Sequence, residues 1–229
     1  MEFPLKRISK NFANRFRTLS KEKQCGNLII LSGPSGVGKS ALTDYAIRSL
    51  PDLKFSVSYT TRASRGGERN GVEYFFVDRA KFESLAAAGD FLECAEVHGN
   101  YYGTSRSFID GFLLRGSDVI LDIDVQGARA VKKARPDAVA VFVLPPSFDV
   151  LHERLVSRGL DGADVIEKRL KIARDEISQC VDYDYLIVND DLENAEREFV
   201  AIIVGARCRI NARRSAAASI ILNFGGTDV

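Results

Sequence analysis

The chain has 229 residues, enough for one large domain or for one domain that carries an inserted lobe. Apolar residues form 45% of the chain and charged residues 28%, a composition that excludes a disordered protein. The 32 Lys and Arg residues balance 31 Asp and Glu residues, so bulk charge does not favour nucleic-acid binding, and no apolar run is long enough to span a membrane.

The first segment, residues 1–26, is a basic N-terminal extension. Residues 1–23 contain seven Lys or Arg and two acidic residues, and they lack the apolar stretch of a secretory signal. We expect a frayed tail, since chain ends are often disordered unless they are tied down; an organelle transit peptide is the alternative. The four cysteines show no CxxC spacing and complete no zinc pattern with the two histidines, so we expect reduced thiols and a cytoplasmic protein.

A strand, a glycine-rich loop and a helix then follow in the order that a phosphate-binding loop requires. Residues Leu28–Leu31 are an apolar run typical of a strand buried on both faces, and residues 41–50 have the pattern of a helix that stops before Pro51. Between them, GPSGVGKS fits the Walker A pattern, in which backbone N–H groups cradle phosphate oxygens. A glycine turn that binds nothing is the alternative, which this context disfavours. The predicted ATP-binding residues of the loop are Gly33, Pro34, Ser35, Gly36, Val37, Gly38, Lys39 and Ser40.

A strand that ends in acidic residues supports a nucleotide site. Val119–Ile123 is an apolar run that carries Asp122 and is followed by Asp124. An acid at the end of a buried strand beside a phosphate loop is where a Walker B aspartate lies. Lys39 would place its charge on the terminal phosphates, and we expect Ser40 and Asp122 to bind Mg²⁺.

A glycine-rich loop with three arginines lies between two short strand-like runs, Phe55–Ser58 and Glu73–Val77. The loop reads TTRASRGGERNG and holds Arg62, Arg65 and Arg69. Arginines held in one loop can bind a phosphate through bidentate hydrogen bonds. From the residues alone, a solvated surface loop is an equally good interpretation.

Residues 91–106 read FLECAEVHGNYYGTSR, and with them the chain resembles the guanylate kinase family. The matching motifs include GPSGVGKS, FSVSYTTRASRGGERNGVEYFF, VILDIDVQGARAVK, ERLVSRG and YLIVNDDLENA, and they run in family order over residues 27–200. Guanylate kinases convert GMP to GDP with ATP. The resemblance therefore implies ATP and GMP as substrates, dGMP as a further acceptor, Mg²⁺ as the cofactor, and a monomer or homodimer that binds neither nucleic acid nor membrane.

The resemblance assigns the acceptor site residue by residue. Ser58, Glu93 and Thr104 would read the guanine base, because guanine presents N1–H and N2 amino donors to a carboxylate and an O6 acceptor to a hydroxyl. Adenine lacks that pattern, so a kinase for another nucleoside monophosphate is disfavoured. Other residues of the same segment would bind the GMP phosphate. The implied GMP-binding residues are Ser58, Arg62, Arg65, Tyr74, Glu93, Tyr102, Thr104 and Asp124.

The resemblance also implies a lid over the transferred phosphate. Arg158 and Arg169 would contact the transferring phosphoryl group, Arg154 would be a secondary contact, and Asn189 would lie near the adenine of ATP. Without the resemblance, the same segment is a helix with mixed charges on its solvated face. The transfer would be in line and direct, without a covalent enzyme intermediate. The implied catalytic residues are Lys39, Arg62, Arg158 and Arg169.

Together these features predict an α/β fold, namely a P-loop kinase with a parallel core sheet, an inserted mixed α+β GMP-binding lobe and a helical lid. The rival hypothesis is a guanylate-kinase-like binding module that holds a partner peptide, which the intact Walker A loop disfavours. The predicted parts are a domain at 27–212, with its core at 27–55, 107–145 and 183–212, its GMP-binding lobe at 56–106 and its lid at 146–182, and a C-terminal tail at 213–229.

Overall fold

The computed structural model describes residues 25–97, 99–157 and 162–224. Within these ranges the chain forms a five-stranded parallel sheet, a four-stranded sheet and eight α-helices, which confirms the predicted α/β class. The strands are β1 (Leu28–Ser32), β2 (Leu53–Phe55), β3 (Tyr59–Thr60), β4 (Phe75–Phe76), β5 (Phe91–Val97), β6 (Asn100–Ser105), β7 (Asp118–Asp122), β8 (Val139–Leu144) and β9 (Tyr185–Val188). The helices are α1 (Lys39–Ser49), α2 (Arg79–Ala87), α3 (Arg106–Leu113), α4 (Val125–Ala134), α5 (Phe148–Ser157), α6 (Ala163–Ile177), α7 (Leu192–Arg207) and α8 (Arg214–Phe224).

The core sheet has the strand order β2-β7-β1-β8-β9, and all of its neighbouring strands run parallel. Strands β1, β7 and β8 are rich in Leu, Ile and Val and are buried along almost their whole length, as strands covered on both faces must be. Because β1 lies at the centre, the loop that follows it emerges at the carboxyl edge of the sheet, between β7 and β8. Ligands bind at this edge in open α/β sheets.

Helices cover both faces of the core sheet. On one face, Leu31 belongs to an apolar cluster with Leu42 of α1 and Phe199 of α7. On the other face, Ile30 belongs to a cluster with Val131 of α4. All five side chains are fully buried, and burial of each contributes about 1.5–3 kcal/mol to the hydrophobic stabilisation of the fold.

A buried carboxylate, Asp118, joins three elements at the amino edge of the core sheet. Asp118 begins β7 and is 3% exposed. Its Oδ1 accepts hydrogen bonds from the backbone and side-chain amides of Asn27, at 2.6 and 2.9 Å, and its Oδ2 accepts one from Nε of Arg207 at 2.6 Å. Because a buried charge needs a partner, these contacts fix the start of β1 and the end of α7 relative to β7.

The second sheet has the order β4-β3-β6-β5 and lies between β2 and α3 in the chain. Strands β3 and β4 pair in parallel, whereas β6 pairs antiparallel with both β3 and β5. Its core is aromatic: the ring of Phe82, on α2, lies 4.6 Å from that of Phe91 and 5.6 Å from that of Tyr101, between centroids. The sheet falls inside 56–106, the range predicted for the inserted lobe, and the exact boundaries of that lobe stay a prediction.

The prediction of a strand at Phe55–Ser58 is wrong. Strand β2 ends at Phe55, and residues 56–58 belong to no strand. The N–H group of Ser56 still donates to the carbonyl of Ile120 at 2.9 Å, and the chain then leaves the core sheet to begin β3 of the second sheet. The run thus spans a crossing between two sheets, which its alternating pattern does not reveal.

Helices α5 and α6 share a small apolar cluster of their own. Leu151 and Leu155 of α5 belong to it together with Ile166, Leu170 and Ala173 of α6. Both helices lie in the segment predicted as the lid. This cluster is separate from the two clusters of the core sheet, so the helix pair has an apolar core of its own.

Both ends of the chain extend beyond the described ranges. The basic extension lies outside the described residues as far as residue 24, as do residues 225–229 at the other end. The predicted C-terminal tail contains helix α8. None of the helices in the part of the chain that the structure describes is long and apolar enough to cross a membrane.

Candidate active site

The loop after β1 depends on three glycines with positive φ angles, Gly33 at 144°, Gly36 at 90° and Gly38 at 105°. Residues with a side chain rarely adopt these angles. At Gly33 a Cβ atom would also lie 2.4 Å from the carbonyl oxygen of Val143, so glycine lets the loop lie directly against β8. Gly38 is the N-cap of α1 and has no capping side chain, so the first N–H groups of the helix have no side-chain cap that would compete with an anion.

Lys39 and Asp122 face each other where this loop meets the end of β7. The Lys39 ammonium donates to the carbonyl oxygen of Gly33 at 2.6 Å, and its Nζ lies 3.7 Å from Oδ1 of Asp122. Burial raises the pKa of the Asp122 carboxyl, and the nearby charge of Lys39 opposes that rise. The arrangement offers one cation and one carboxylate to a phosphate group and its metal ion.

A cavity of about 770 Å³ extends from the phosphate loop to the second sheet and to helix α6. It brings together predicted residues from both substrate sites. Pro34, Thr104 and Asn189 are predicted site residues that do not line it. The predicted residues that do line it are Gly33, Ser35, Gly36, Val37, Gly38, Lys39, Ser40, Ser58, Arg62, Arg65, Tyr74, Glu93, Tyr102, Asp122, Asp124 and Arg169.

Arg62 is held by a carboxylate that faces the same cavity, Glu68. The guanidinium donates to both carboxylate oxygens, from Nη1 to Oε2 at 3.0 Å and from Nη2 to Oε1 at 2.8 Å. It also lies over the ring of Tyr74, 5.3 Å from the centroid. These hydrogen bonds raise the pKa of Arg62 and lower the pKa of Glu68. The guanidinium is therefore fixed in position before any phosphate binds.

Two tyrosines and a second arginine complete this wall. The rings of Tyr74 and Tyr102 meet edge to face at 5.8 Å between centroids. Burial raises the pKa of the Tyr74 hydroxyl, so the group remains a hydrogen-bond donor at neutral pH. Arg65 is exposed, and its backbone N–H donates to Oε2 of Glu68 at 2.7 Å. The wall thus presents two guanidinium groups and two hydroxyls to one end of the cavity.

Glu93 is the buried carboxylate of the cavity, at 8% exposure. The hydroxyl of Thr104 donates to its Oε1 at 2.5 Å. Burial, with a smaller effect of the Asp124 charge, raises the pKa of Glu93 to about 7, although the Thr104 hydrogen bond opposes the rise. Asp124 caps helix α4 by accepting the N–H of Gly127 at 2.8 Å, which holds its carboxylate beside that of Glu93.

Helix α6 forms the opposite side of the cavity. Its lining residues recur at the spacing of one helical face. Arg169 is one of them, so the structure places this predicted lid arginine at the cavity. The other predicted lid arginine, Arg158, lies outside the described residues. The lining residues of α6 are Val165, Lys168, Arg169, Ile172 and Glu176.

The guanylate kinase family model matches residues 25–205, which include every residue of this cavity. The chain belongs to the guanylate kinase family. It is 47% identical over 189 residues to the guanylate kinase of Hahella chejuensis, covering 82% of this chain and 91% of that protein. It is 51% identical over 186 residues to the guanylate kinase of Vibrio parahaemolyticus, covering 80% of this chain and 90% of that protein.

A solved structure agrees with this assignment. The crystal structure of guanylate kinase from Anaplasma phagocytophilum aligns with a TM-score of 0.73 at 34% identity. The alignment covers 90% of this chain and 99% of that one. The arrangement of the core sheet, the second sheet and the helix pair is therefore a guanylate kinase fold.

The side chains of Asn189 and Thr104 make contacts within the protein that their predicted substrate-binding roles did not suggest. Asn189 is 3% exposed, and its side-chain amide donates to the carbonyl oxygen of Val37 at 2.7 Å. Its backbone carbonyl accepts from Nη2 of Arg154 at 3.0 Å. Asn189 therefore holds the phosphate loop from behind, and its contact with adenine stays a prediction. Thr104 gives its single hydroxyl proton to Glu93, so any direct contact with guanine also stays a prediction.

Nine lining residues were not among the predicted site residues, and four of them are charged: Glu68, Glu73, Lys168 and Glu176. Glu68 lies in a glycine-rich loop, whose sequence has no periodicity that would show which way an acid points. Lys168 and Glu176 share a helical face with Arg169, and the spacing of that face is a signal that the sequence does contain.

Proposed function

We propose that the chain transfers the γ-phosphoryl group of ATP to GMP in this cavity, as guanylate kinases do, with GDP and ADP as products. The observation that carries the proposal is that the phosphate loop and the wall formed by Arg62, Tyr74 and Tyr102 line one continuous cavity. Glu93 lines the same cavity and supplies a carboxylate for a base. Two phosphate-binding ends and a polar base site in one cavity suit a nucleoside monophosphate kinase.

On the donor side, the phosphate loop would bind the ATP phosphates. The positive φ angles of Gly36 and Gly38 turn backbone N–H groups towards the cavity, and the start of α1 adds its dipole. Lys39 would place a point charge between the donor and acceptor phosphates. Arg169 and Arg158 would add charge from the lid and stabilise the phosphoryl group while it moves.

Ser40 and Asp122 would hold Mg²⁺. Both line the cavity at the end of the phosphate loop, and a hydroxyl with one carboxylate is a hard oxygen set that suits a metal ion shared with substrate phosphates. Lys39 lies 3.7 Å from Oδ1 of Asp122 and favours its ionised form, which is the form that binds a metal ion. When bound, Mg²⁺ neutralises charge on the ATP phosphates.

On the acceptor side, Arg62, Arg65, Tyr74 and Tyr102 would bind the phosphate of GMP. The planar fork of Arg62 is held by Glu68, so it loses little freedom when it adds a phosphate contact. The acceptor oxygen of GMP is already anionic, so no general base is needed and catalysis consists of positioning and charge neutralisation.

The guanine base would lie against Glu93. An ionised Glu93 accepts both N1–H and the N2 amino group, and Ser58 and Asp124 line the cavity nearby. Adenine has no such pair of donors and would leave a buried carboxylate unpaired, which disfavours AMP. None of these roles involves the ribose 2′-hydroxyl, so we extend the proposal to dGMP.

We further propose that the enzyme works in the cytoplasm, as a monomer or homodimer. Support for this location comes from the cysteines: no disulfide joins the four of them within the described ranges, in keeping with a reducing compartment. Fractionation of the source cells with an antibody to the chain tests the location, and sedimentation analysis of the purified protein tests the oligomeric state.

The test of the reaction is a coupled assay of ADP release with Mg-ATP and one acceptor at a time, from GMP, dGMP, AMP, CMP, UMP and dTMP. We expect turnover with GMP and dGMP only. The Lys39→Ala variant should keep its fold and lose turnover. Turnover with another acceptor would overturn the base assignment, and a folded protein that binds GMP without turnover would point to a binding module.

A further inference from the structure

Glu176 lines the cavity, but the proposed reaction as described so far gives this residue no role. It lies in the last turn of α6 and lines the same cavity as Lys39 and Asp124. Arg169 and Ile172 precede it on the same face of the helix and also line the cavity. The last turn of α6 therefore brings a carboxylate to the phosphate loop, rather than to solvent.

The groups that face Glu176 come from three other elements. Lys39, at the start of α1, favours the ionised carboxylate, and Asp124, before α4, opposes it. Burial is the largest influence and raises the pKa of Glu176 to about 7. Tyr183, before β9, is a neutral hydroxyl, whose pKa is raised to about 12 by burial and by the charges of Asp124 and Glu176. Lys39 is thus the cation towards which Glu176 is drawn.

The Lys39 ammonium has a donor available for the Glu176 carboxylate. It has three N–H donors, and it donates to the carbonyls of Gly33 and Pro34, at 2.6 and 3.4 Å. Oδ1 of Asp122, at 3.7 Å, is beyond hydrogen-bonding distance, so one donor remains for a carboxylate. The direction of the ammonium therefore depends on the carboxylates around it as well as on its loop.

We propose that Glu176 is a positioning residue for phosphoryl transfer, which draws the Lys39 ammonium towards the lid and so couples helix α6 to the phosphate loop. The inference rests on the proposed function, since it gives Lys39 its role on the transferred phosphate. Glu176 acts through Lys39, whereas the residues assigned to GMP belong mainly to the second sheet. Its loss should therefore lower kcat and leave the KM for GMP nearly unchanged.

The first experiment compares E176Q with E167Q in the full chain. Glu167 lies on the same helix but is exposed and does not line the cavity, so it is a matched control. Steady-state rates are measured with GMP varied at saturating ATP. For E176Q we expect kcat to fall about tenfold or more, with the KM for GMP within about twofold of the unmodified enzyme. E176D should recover part of the loss, and E167Q should match the unmodified enzyme.

A second measurement does not depend on turnover. Hydrogen exchange of α6 is followed with and without a non-hydrolysable ATP analogue. The coupling predicts faster exchange of α6 in E176Q than in the unmodified protein or in E167Q. Unchanged kcat together with unchanged exchange would overturn the proposal, and so would a fall in kcat that E167Q shares.

The two proposals can fail separately. If the unmodified chain turns over no GMP, the proposed reaction is wrong, and the exchange measurement decides the coupling by itself. If E176Q does not fold, as judged by its thermal unfolding, E176A takes its place in both measurements. Unaltered kcat and exchange in a folded E176A, beside an unfolded E176Q, would mean that Glu176 is only structural.

Discussion

At the scale of single residues, the charge of Glu93 should set the pH dependence of GMP use. Burial raises its pKa to about 7, so the carboxylate is largely protonated below that pH and ionised above it. Only the ionised form accepts both guanine donors. We therefore expect kcat/KM for GMP to rise with pH through about 7, and the rise should be measured between pH 5.5 and 8.5.

The Glu93→Gln variant should lose that part of the rise and about 100-fold or more of kcat/KM for GMP, because a neutral amide cannot replace a charged acceptor. Glu96→Gln, an exposed change on the same strand, is the control and should keep the full pH profile. A Glu93→Gln profile identical to that of the control would contradict the assignment of Glu93 to guanine.

The bidentate pair between the Arg62 guanidinium and the Glu68 carboxylate gives a second prediction at this scale. Arg62→Lys removes the bidentate contacts to Glu68 and leaves a single mobile ammonium at the GMP phosphate. We expect the KM for GMP to rise roughly tenfold or more, while the KM for ATP changes little. Arg69→Lys is the control, because Arg69 lies in the same loop with its side chain 73% exposed and outside the cavity. Equal effects of both substitutions would contradict a specific role for Arg62.

The sequence predicted these residues unevenly. The glycines and Lys39 have a fixed spacing between a strand and a helix, and Asp122 lies in a buried apolar run, so the sequence places them. The pairing of Glu68 with Arg62 depends on the path of a glycine-rich loop, which no periodicity describes. Asn189 is far from the phosphate loop in sequence and meets it only because β9 lies beside β8, whose neighbour is β1.

At the scale of elements, the conformation of the phosphate loop is the feature that a small substitution should break. Gly38 has a φ angle of 105°, and a Cβ atom there would lie 2.4 Å from Nδ2 of Asn189. Gly38→Ala should therefore weaken ATP binding at least tenfold and lower the free energy of unfolding by about 1–3 kcal/mol. Calorimetric titration with ATP and denaturant unfolding measure the two effects.

Gly205→Ala is the matched control for this loop. Gly205 lies within α7, and a Cβ atom there would have no heavy atom within 4 Å. Alanine should leave ATP binding unchanged and raise the free energy of unfolding by about 0.5–1 kcal/mol, because glycine is a poor residue inside a helix. If Gly38→Ala bound ATP as tightly as Gly205→Ala does, the positive φ angle would not be needed for the site.

The sequence predicted an element best where the apolar pattern of the whole element matches a face that is buried in the fold. The helix expected at 41–50 forms as part of α1, which runs from Lys39 to Ser49, and the run Leu28–Leu31 lies within β1. The pattern fails at 55–58, where the chain passes from one sheet to another, and at Glu73–Val77, where only Phe75 and Phe76 form a strand. Short strands of a small sheet depend on tertiary pairing more than on local sequence.

At the scale of the whole molecule, the cavity brings together charges of both signs from distant parts of the chain. The net charge is +1, yet the cavity is lined by Lys39, Arg62, Arg65, Lys168 and Arg169. These cations come from the core, the second sheet and the helix pair, and they face carboxylates that lie among them. Two anionic substrates would bring the three parts together, because phosphates attract cations from every side.

Closure of the molecule on both substrates is therefore the expectation at this scale. A compact chain of this length has a radius of gyration of about 17 Å. Small-angle scattering should show the radius falling when GMP and a non-hydrolysable ATP analogue are both present, by more than with either alone, since each pulls on a different part. AMP in place of GMP is the control and should not complete the closure. An equal radius with and without both nucleotides would mean that the molecule does not close on its substrates.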